Sequence, residues 1–444
     1  MNDPQARPGD AIRENRPWWT YLIPYPGKVP KLSEKQWSVL GLLSLAEFFD
    51  HYDIGIMGLA LSQIQAGLAI PEDQIAGVRA FVQIGSLLAI VLSVLADRFG
   101  RRRLLLVTIL GFTLCTFATA FAQNAQQYMI LQLMARVFIS AETLLAVVVL
   151  TEELSAKDRG WGIGLLGALG SLGHALAAIV FASVDVLPFG WRALYLLGVA
   201  PLLFLAYFRR TLPETQRFQD HQARLAKAVA AQGSSALNAL RPLLDLMRMY
   251  PGRVAALAVA LFPFDFVVST AFFFMPKTLQ EVHGFSPGQV TAIYLTGGAI
   301  GILGNVFAGA MGDRFGRKPV MVLAMVFNAA GVYGFYNASG SAPIVFFWIT
   351  SIFTILAIGV LFKALGTELF PTSHRSTASG MRMLVGTLGS IAGLSLEGTL
   401  YQLTGSHAAA ITYMLPVLIL PPIAIWLFLP ETARKDLESI SPER

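Results

Sequence analysis

The sequence DRFGRR at residues 97–102 recurs as DRFGRK at residues 313–318, after an offset of 216 residues. Each copy directly follows a long apolar stretch. Two more motifs repeat with an offset of 216 or 217 residues, namely Glu152 and Arg159 with Glu368 and Arg375, and Pro213-Glu214-Thr215 with Pro430-Glu431-Thr432. Because three motifs recur in the same order, the sequence predicts two structurally similar halves.

The chain is too apolar for a water-soluble protein. Of its 444 residues, 55% are hydrophobic and 14% are charged, against about 25% charged in a typical soluble protein. A helix that crosses a bilayer needs roughly 20 mostly apolar residues. Twelve such stretches lie at about residues 37–61, 75–96, 104–122, 128–151, 160–184, 191–209, 253–279, 288–312, 319–337, 344–369, 376–402 and 408–429. The sequence therefore predicts an all-α membrane protein with twelve transmembrane helices in two pseudo-symmetric six-helix bundles.

Polar segments divide the chain into an N-terminal tail (1–36), a first bundle (37–209), a linker (210–252), a second bundle (253–429) and a C-terminal tail (430–444). An even number of spans puts both termini on one side, where most of the 33 Lys and Arg residues lie. Since positive loops stay in the cytoplasm, we expect cytoplasmic termini and a location in the plasma membrane. Basic loops that face anionic lipid also explain the net charge of +6 without nucleic acid as a partner.

The DRFGR loops resemble the loop signature of the major facilitator superfamily of secondary transporters. The Glu-x6-Arg and Pro-Glu-Thr pairs resemble those of its sugar-porter and organic-ion branches. In the first span, Phe49-Asp50-His51-Tyr52-Asp53 resembles the Asp-Gly-Tyr-Asp signature of aromatic-acid:proton symporters, with His51 in place of glycine. The resemblance implies two bundles that rock around a central cavity, which spans 1, 4, 7 and 10 line.

The resemblance also implies a cytoplasmic gating network around the repeated loops. Asp97 should reach the amino end of span 11 and Asp313 that of span 5, where a carboxylate is stabilised by the helix dipole. Arg101 should pair with Glu152, and the second half should repeat this pair. The full network comprises Asp97, Arg98, Arg101, Glu152, Arg159, Glu214, Asp313, Arg314, Arg317, Glu368, Arg375 and Glu431. The alternative is that these positive loops only fix the orientation in the membrane.

Charged residues within the spans are the candidates for substrate binding and proton coupling, because an ionisable group near the bilayer centre is costly unless it is paired or hydrated. The candidates are Glu47, Asp50, His51, Asp53, Arg136, Glu142, Asp265, Lys363 and Arg382. The acids of the first span lie close together, so they cannot all ionise in a low dielectric. At least one of them should carry a proton, as proton coupling requires, and Glu142 and Asp50 are the leading candidates.

The charges allow more than one interpretation. Arg136, Lys363 and Arg382 are suited to hold a carboxylate, whereas the five acids favour a cationic substrate equally well. Arg136 is equally suited to be a fixed partner of an acid in the first span, and the other two bases are able to reach the membrane surface. His174 fits a packing role better than a proton relay.

The predicted function is proton-coupled symport of a small organic solute, an organic or aromatic acid among the candidates, by a monomer. The alternatives are an organic-cation or drug exporter working by proton antiport and, from another class, a ligand sensor that does not transport. No nucleotide-binding motif or metal-ligand cluster occurs in the sequence, so we expect neither an enzyme nor a cofactor or metal. The single cysteine, Cys115, excludes an intramolecular disulfide.

Overall fold

The computed structural model describes residue 17 and residues 29–155, 158–210, 241–371 and 375–433. Within these ranges, the side chains of residues 91, 93–99, 209, 241–243, 367, 375 and 376 are not described. Most of the predicted tails, the middle of the predicted linker and the side chains of Asp97, Arg98, Glu214 and Arg375 therefore lie outside the described residues.

The described residues of the first half form seven helices and one 3-10 turn. They are α1 Glu34–Leu59, α2 Leu61–Leu68, the turn Glu72–Gln74, α3 Ile75–Phe99, α4 Arg101–Thr119, α5 Ala125–Glu153, α6 Arg159–Phe181 and α7 Trp191–Arg209. The start of α1 is fixed by a capping box, in which the Ser33 hydroxyl accepts from the Gln36 backbone and the Gln36 side chain accepts from Ser33. These bonds satisfy backbone donors that lack a partner within the helix.

The second half repeats this arrangement. Its helices are α8 Arg241–Met249, α9 Pro251–Glu281, α10 Pro287–Phe315, α11 Arg317–Asn337, α12 Ser341–Glu368, α13 Arg375–Thr404, α14 His407–Met414 and α15 Leu420–Phe428. The span predicted at 408–429 is present as one helical segment long and apolar enough to cross a membrane, His407–Phe428, in which a 3-10 segment, Leu415–Ile419, lies between α14 and α15. Pro416 lies in this segment and has no backbone N–H to continue the helical hydrogen bonds.

Ten of the described helical segments are long and apolar enough to cross a membrane. Long helices also occupy the first two predicted spans, namely α1 and α3. The composition of α1 sets it apart from the ten, because it carries Glu47, Asp50 and Asp53 within seven residues. All regular elements among the described residues are helices.

The glycine of each DRFGR loop links two antiparallel helices through one residue. Gly100 separates α3 from α4 with a φ of 97°, and Gly316 separates α10 from α11 with a φ of 106°. A side chain is strained at such positive φ values, whereas glycine adopts them freely. The repeated motif therefore produces the same sharp turn in both halves.

The two halves contact each other at the end of the molecule away from these loops. We call the end that carries Gly100 and Gly316 the motif end and the other the opposite end. At the opposite end, the Gln63 amide lies 2.8 Å from Gln280, and Thr291 donates to the Ala178 carbonyl at 2.6 Å. In this structure the halves are thus joined across the opposite end.

Candidate functional site

A small cavity lies between α1, α3 and α5 of the first half. Its lining residues are Asp53, Ile54, Met57, Arg79, Val82, Gln132, Arg136 and Ile139. Helical periodicity explains this set, because residues three, four or seven positions apart share one face of a helix. Each of the three helices thus contributes one face and one charged side chain to the cavity, and half of the eight lining residues are apolar.

Asp53 is the carboxylate of the cavity. Only 3% of its surface is exposed, and its Oδ1 accepts a hydrogen bond from the Thr116 hydroxyl of α4 at 3.1 Å. Asp50, one turn earlier in α1, is completely buried. The charges of both carboxylates act on Arg136 of α5, so the structure brings these three predicted residues together.

Arg136 is held by a chain of hydroxyl groups. Its Nε donates to the Ser86 Oγ of α3 at 2.8 Å, and the Ser140 hydroxyl donates to the same atom at 3.0 Å. The acceptor of this bond is neutral, so the guanidinium keeps its positive charge beside the cavity. A guanidinium has several N–H donors, which leaves donors of Arg136 for a ligand.

The sequence analysis missed Arg79 as a site residue. It lies on α3, in the cavity wall shared with Arg136, and its Nη1 donates to the Met57 Sδ at 3.2 Å. Its guanidinium carbon lies 5.2 Å from the ring centroid of Phe273, which belongs to the second half. The sequence feature that could have identified Arg79 is its position as a single arginine within an apolar stretch.

A second charged cluster surrounds Glu47, which lies six residues before Asp53 in α1. Glu47 is 6% exposed and accepts from the Thr143 hydroxyl at 3.1 Å. The His51 Nδ1 lies 3.6 Å from its carboxylate, and the His51 ring lies 5.0 Å from that of His174. The charge of Lys363, from the second half, also acts on Glu47. These residues are outside the cavity lining, although the charge of Arg136 also acts on His51.

The remaining predicted acids have other neighbours. Glu142 is 1% exposed and lies 3.3 Å from the Thr108 hydroxyl of α4, so it faces a helix of its own half. Asp265 interacts electrostatically with Arg382, and both belong to the second half. The five acids are therefore distributed over several environments, and only Asp53 lines the cavity.

Comparisons with known proteins identify the family. Residues 43–310 and 257–443 match the family model for the Major Facilitator Superfamily. The chain belongs to this superfamily. The prediction from the DRFGR loops is thus confirmed, and the protein is a multi-pass membrane transporter for a small molecule and not an enzyme.

The similar proteins are metabolite transporters. The chain is 26% identical over 427 residues to the niacin transporter NiaP of Acinetobacter baylyi, covering 91% of this chain and 96% of the relative. It is 23% identical over 408 residues to the 3-(3-hydroxy-phenyl)propionate transporter of Escherichia coli, covering 89% and 94%. The crystal structure of a D-xylose-proton symporter has a TM-score of 0.73 at 17% identity, over 90% of this chain and 99% of that one. This last likeness shows the same superfamily fold.

The superfamily loop motif forms an ion-pair network within each half. Arg101 donates to Glu152 at 3.1 Å, and its repeat, Arg317, donates to Glu368 at 3.0 Å. Arg317 also lies 2.9 Å from Asp313, whose side chain is 69% exposed. In this structure these pairs connect helices of the same half.

Glu431 completes the network in the second half. Its carboxylate accepts from the backbone N–H groups of Arg317 and Lys318, the first residues of α11, at 2.8 and 3.1 Å. Burial alone would raise the pKa of Glu431, but these backbone hydrogen bonds lower it. The other predicted residues have different contacts: Arg159 donates to the Leu154 carbonyl at 3.2 Å, and the Arg314 guanidinium lies 5.3 Å from the ring of Phe315.

Proposed function

We propose that the protein is a proton-coupled symporter that carries a small organic carboxylate, and specifically an aromatic one, by alternating access. The observation that carries this proposal is that Arg136 and Asp53 line the same cavity. The cation of Arg136 supplies a binding partner for an anion, and Asp53 supplies a protonatable group next to it.

The distribution of the acids favours an anionic substrate over a cationic one. The sequence alone left this open, because five acids are predicted on the helices around the centre. In the structure Glu142 faces α4, Glu47 lies with His51, and Asp265 lies near Arg382. These three acids therefore lie outside the cavity and do not favour a cation as its ligand. This disfavours an organic-cation exporter.

Charge balance gives a physical reason for coupling. While Asp50 and Asp53 are ionised, they balance the charges of Arg136 and of Arg79, which lies in the same cavity wall, and an additional anion would be repelled. Protonation of Asp53 removes one negative charge and leaves one cation in excess to bind the substrate carboxylate. Burying a charge without a partner costs several kcal/mol, so the proton and the anion bind more favourably together than either does alone.

The contacts between the halves fit alternating access. The halves are joined at the opposite end, while the ion pairs described at the motif end lie within one half. We propose that the motif end is cytoplasmic, with twelve spans and both tails on that side in the plasma membrane, since it carries most of the basic residues. One chain contains both bundles, so we propose that it works as a monomer with the tail, bundle and linker boundaries predicted above.

The relatives point to the same class of substrate. Niacin and 3-(3-hydroxyphenyl)propionate, named for two of them, are both compounds with one aromatic ring and one carboxylate. A cavity lined by arginines and apolar side chains suits such a molecule, because the ring contacts the apolar surface and the carboxylate binds to a cation.

Uptake into proteoliposomes tests this function. The purified protein is reconstituted with an alkaline interior, and uptake of labelled nicotinate, benzoate and 3-(3-hydroxyphenyl)propionate is compared with that of neutral nicotinamide. We expect at least one acid to accumulate above its equilibrium level, and a protonophore to abolish the accumulation. Uptake that ignores the proton gradient, or efflux driven by an inward gradient, would contradict symport.

A further inference from the structure

Arg79 contributes a second guanidinium to the cavity, and its contacts leave it available to a ligand. Its Nη1 donates to the Met57 sulfur, a weak acceptor, and its guanidinium lies over the face of the Phe273 ring. Neither contact neutralises the charge, and among the described residues most of its N–H donors have no partner. The group is placed at the point where the cavity of the first half meets α9 of the second.

The two guanidinium groups also repel each other, since the charge of Arg79 acts unfavourably on Arg136. Like charges held near each other in a low dielectric raise the energy of the empty site. The carboxylate that shares the cavity wall with them is Asp53. When that group carries a proton, the two cations are balanced only by the charge of Asp50, and a small anion between them supplies the missing negative charge.

We propose that Arg79 is a specificity-determining residue of the substrate site, which binds the substrate carboxylate together with Arg136. The proposal rests on the proposed function and names the residue that recognises the charged group of the substrate. Two guanidinium groups offer a carboxylate N–H donors from two directions, and a neutral amide of the same shape lacks the charge to use them. The transporter should therefore discriminate a carboxylate from the matching amide.

The rest of the cavity wall includes four apolar side chains. They are Ile54, Met57, Val82 and Ile139. An aromatic ring attached to the carboxylate would contact this apolar surface while the carboxylate contacts the two cations.

Binding of the matched pair nicotinate and nicotinamide tests the inference. Affinities are measured by calorimetry on purified protein for the wild type, Arg79→Gln, Arg79→Lys and Arg192→Gln. Arg192 is a matched control, because it lies on α7 and donates to the Ala122 carbonyl at 2.9 Å, outside the cavity lining. Only variants with a monodisperse size-exclusion profile are compared. The same measurements with benzoate and benzamide repeat the test on a second aromatic ring.

We expect the wild type to prefer the acid to the amide. Arg79→Gln should bind the acid about 10- to 100-fold more weakly, the loss expected for one charged hydrogen-bond partner, while its affinity for the amide changes little. Arg79→Lys should recover part of the preference, since lysine keeps the charge but not the planar geometry. Arg192→Gln should behave as the wild type.

The outcomes separate this inference from the proposed function. An Arg79→Gln protein that keeps the wild-type preference overturns the role of Arg79 and leaves carboxylate transport intact. Equal losses for acid and amide in Arg79→Gln also overturn it, since they indicate a general effect on the fold. A wild type that binds neither acid and shows no proton-driven uptake overturns the proposed function itself.

Discussion

The His407 imidazole joins the two halves at the opposite end through Glu72. Its Nε2 lies 2.9 Å from Oε1 of Glu72, in the first half, and its Nδ1 lies 2.6 Å from Oε1 of Glu397, in the second. The ring is stacked between Phe274 and Tyr401, with centroid distances of 4.2 and 4.3 Å. Since both nitrogens face carboxylate oxygens, both need a proton to donate, and this geometry corresponds to the imidazolium form.

Lys277 adds a second cation to the same contact. Its Nζ lies 3.0 Å from Oε1 of Glu72 and 2.5 Å from Glu281, and it donates to the Gln65 amide oxygen at 2.5 Å. Only 3% of the Lys277 side chain is exposed. We call Glu72, Lys277, His407 and Glu397 the latch. Because Glu72 accepts from two cations of the other half, the latch should stabilise the state in which the opposite end is closed.

His407→Gln should open the latch. The substitution removes a cation and leaves the completely buried Glu397 without the partner that compensates its charge, which is costly. We expect a several-fold increase in the fraction of molecules in which the two halves are separated at the opposite end. The measurement is the distance between spin labels on Asp185 and Ser339, introduced as cysteines in a Cys115→Ser background. His283→Gln is the control, because this residue is on the same end and its ring contact is with Phe285 of its own half; an equal shift in both variants would rule out a specific role.

The latch should also weaken in acid. Burial alone would raise the pKa of Glu72, but hydrogen bonds from His407, Gln65 and Lys277 lower it to about 2 from an ordinary value of 4.5. A group with a lowered pKa stabilises the closed state above its ordinary pKa, and this contribution is lost as the pH falls from about 4.5 towards 2. The same spin-label distances, followed from pH 6 to pH 3, should show more opening in the wild type than in Glu72→Gln, which lacks the titrating group. Identical pH profiles would exclude Glu72 as the responsible residue.

The sequence predicted the parts of the fold that repeat or follow helical periodicity. The two DRFGR loops identified the halves, and their glycines hold equivalent positive-φ turns. The acids of the first span were also found, but their environments were not. At about 100° per residue, Glu47 and Asp53 point in directions about 120° apart, so α1 presents them to different neighbours. Periodicity gives this angle, and only the packing shows which direction meets the cavity.

Contacts between the halves could not be predicted. Glu72 and His407 are 335 residues apart, and the relation between them depends on how two rigid bundles are oriented, which neither motifs nor local periodicity encode. The same reason explains Arg79, which the sequence places simply near the end of an apolar stretch. Its importance comes from α1 and α5, which close the cavity around it.

Two glycines should be required for close helix packing in the two halves. A Cβ on Gly173 of α6 would overlap the Phe48 carbonyl of α1, and one on Gly393 of α13 would overlap the Phe266 carbonyl of α9. Since these neighbours are backbone atoms, they cannot move aside as a side chain does. We expect Gly173→Ala and Gly393→Ala to lower stability by about 1–3 kcal/mol, seen as a lower unfolding temperature in detergent. Gly167→Ala, where a Cβ meets no atom within 4 Å, should be neutral, and an equal loss there would contradict the packing argument.

The proposed orientation can be tested with single cysteines in the Cys115→Ser protein. Asn124 caps α5 at the opposite end, and Asp158 precedes α6 at the motif end. If the motif end is cytoplasmic, a cysteine at 124 should react with an impermeant thiol reagent applied to intact cells. A cysteine at 158 should react only after the membrane is permeabilised. Reversed reactivity would place the motif end outside and reverse the direction in which the latch works.

Proton coupling should run through Asp53. The cavity places this carboxylate with Arg136, and asparagine keeps its shape and can still accept from Thr116. Because Asp53→Asn resembles the permanently protonated form, the variant should bind substrate but be unable to exchange a proton in each cycle. We expect uphill uptake to be lost while counterflow between compartments of equal pH is retained. Both are measured in proteoliposomes, after the size-exclusion profile has been matched to that of the wild type.

Three further variants decide which acid is responsible. Asp185→Asn, at an exposed position, should leave both activities unchanged. Glu142→Gln should leave the coupling intact if its contact with Thr108 of α4 makes it structural, whereas a selective loss of uphill uptake in this variant alone would transfer the coupling role from Asp53 to Glu142. Asp50→Asn tests the neighbouring carboxylate whose charge also acts on Arg136. Loss of coupling in both Asp50→Asn and Asp53→Asn would mean that the two carboxylates titrate as a coupled pair. The reason is that both interact with the positive charge of Arg136.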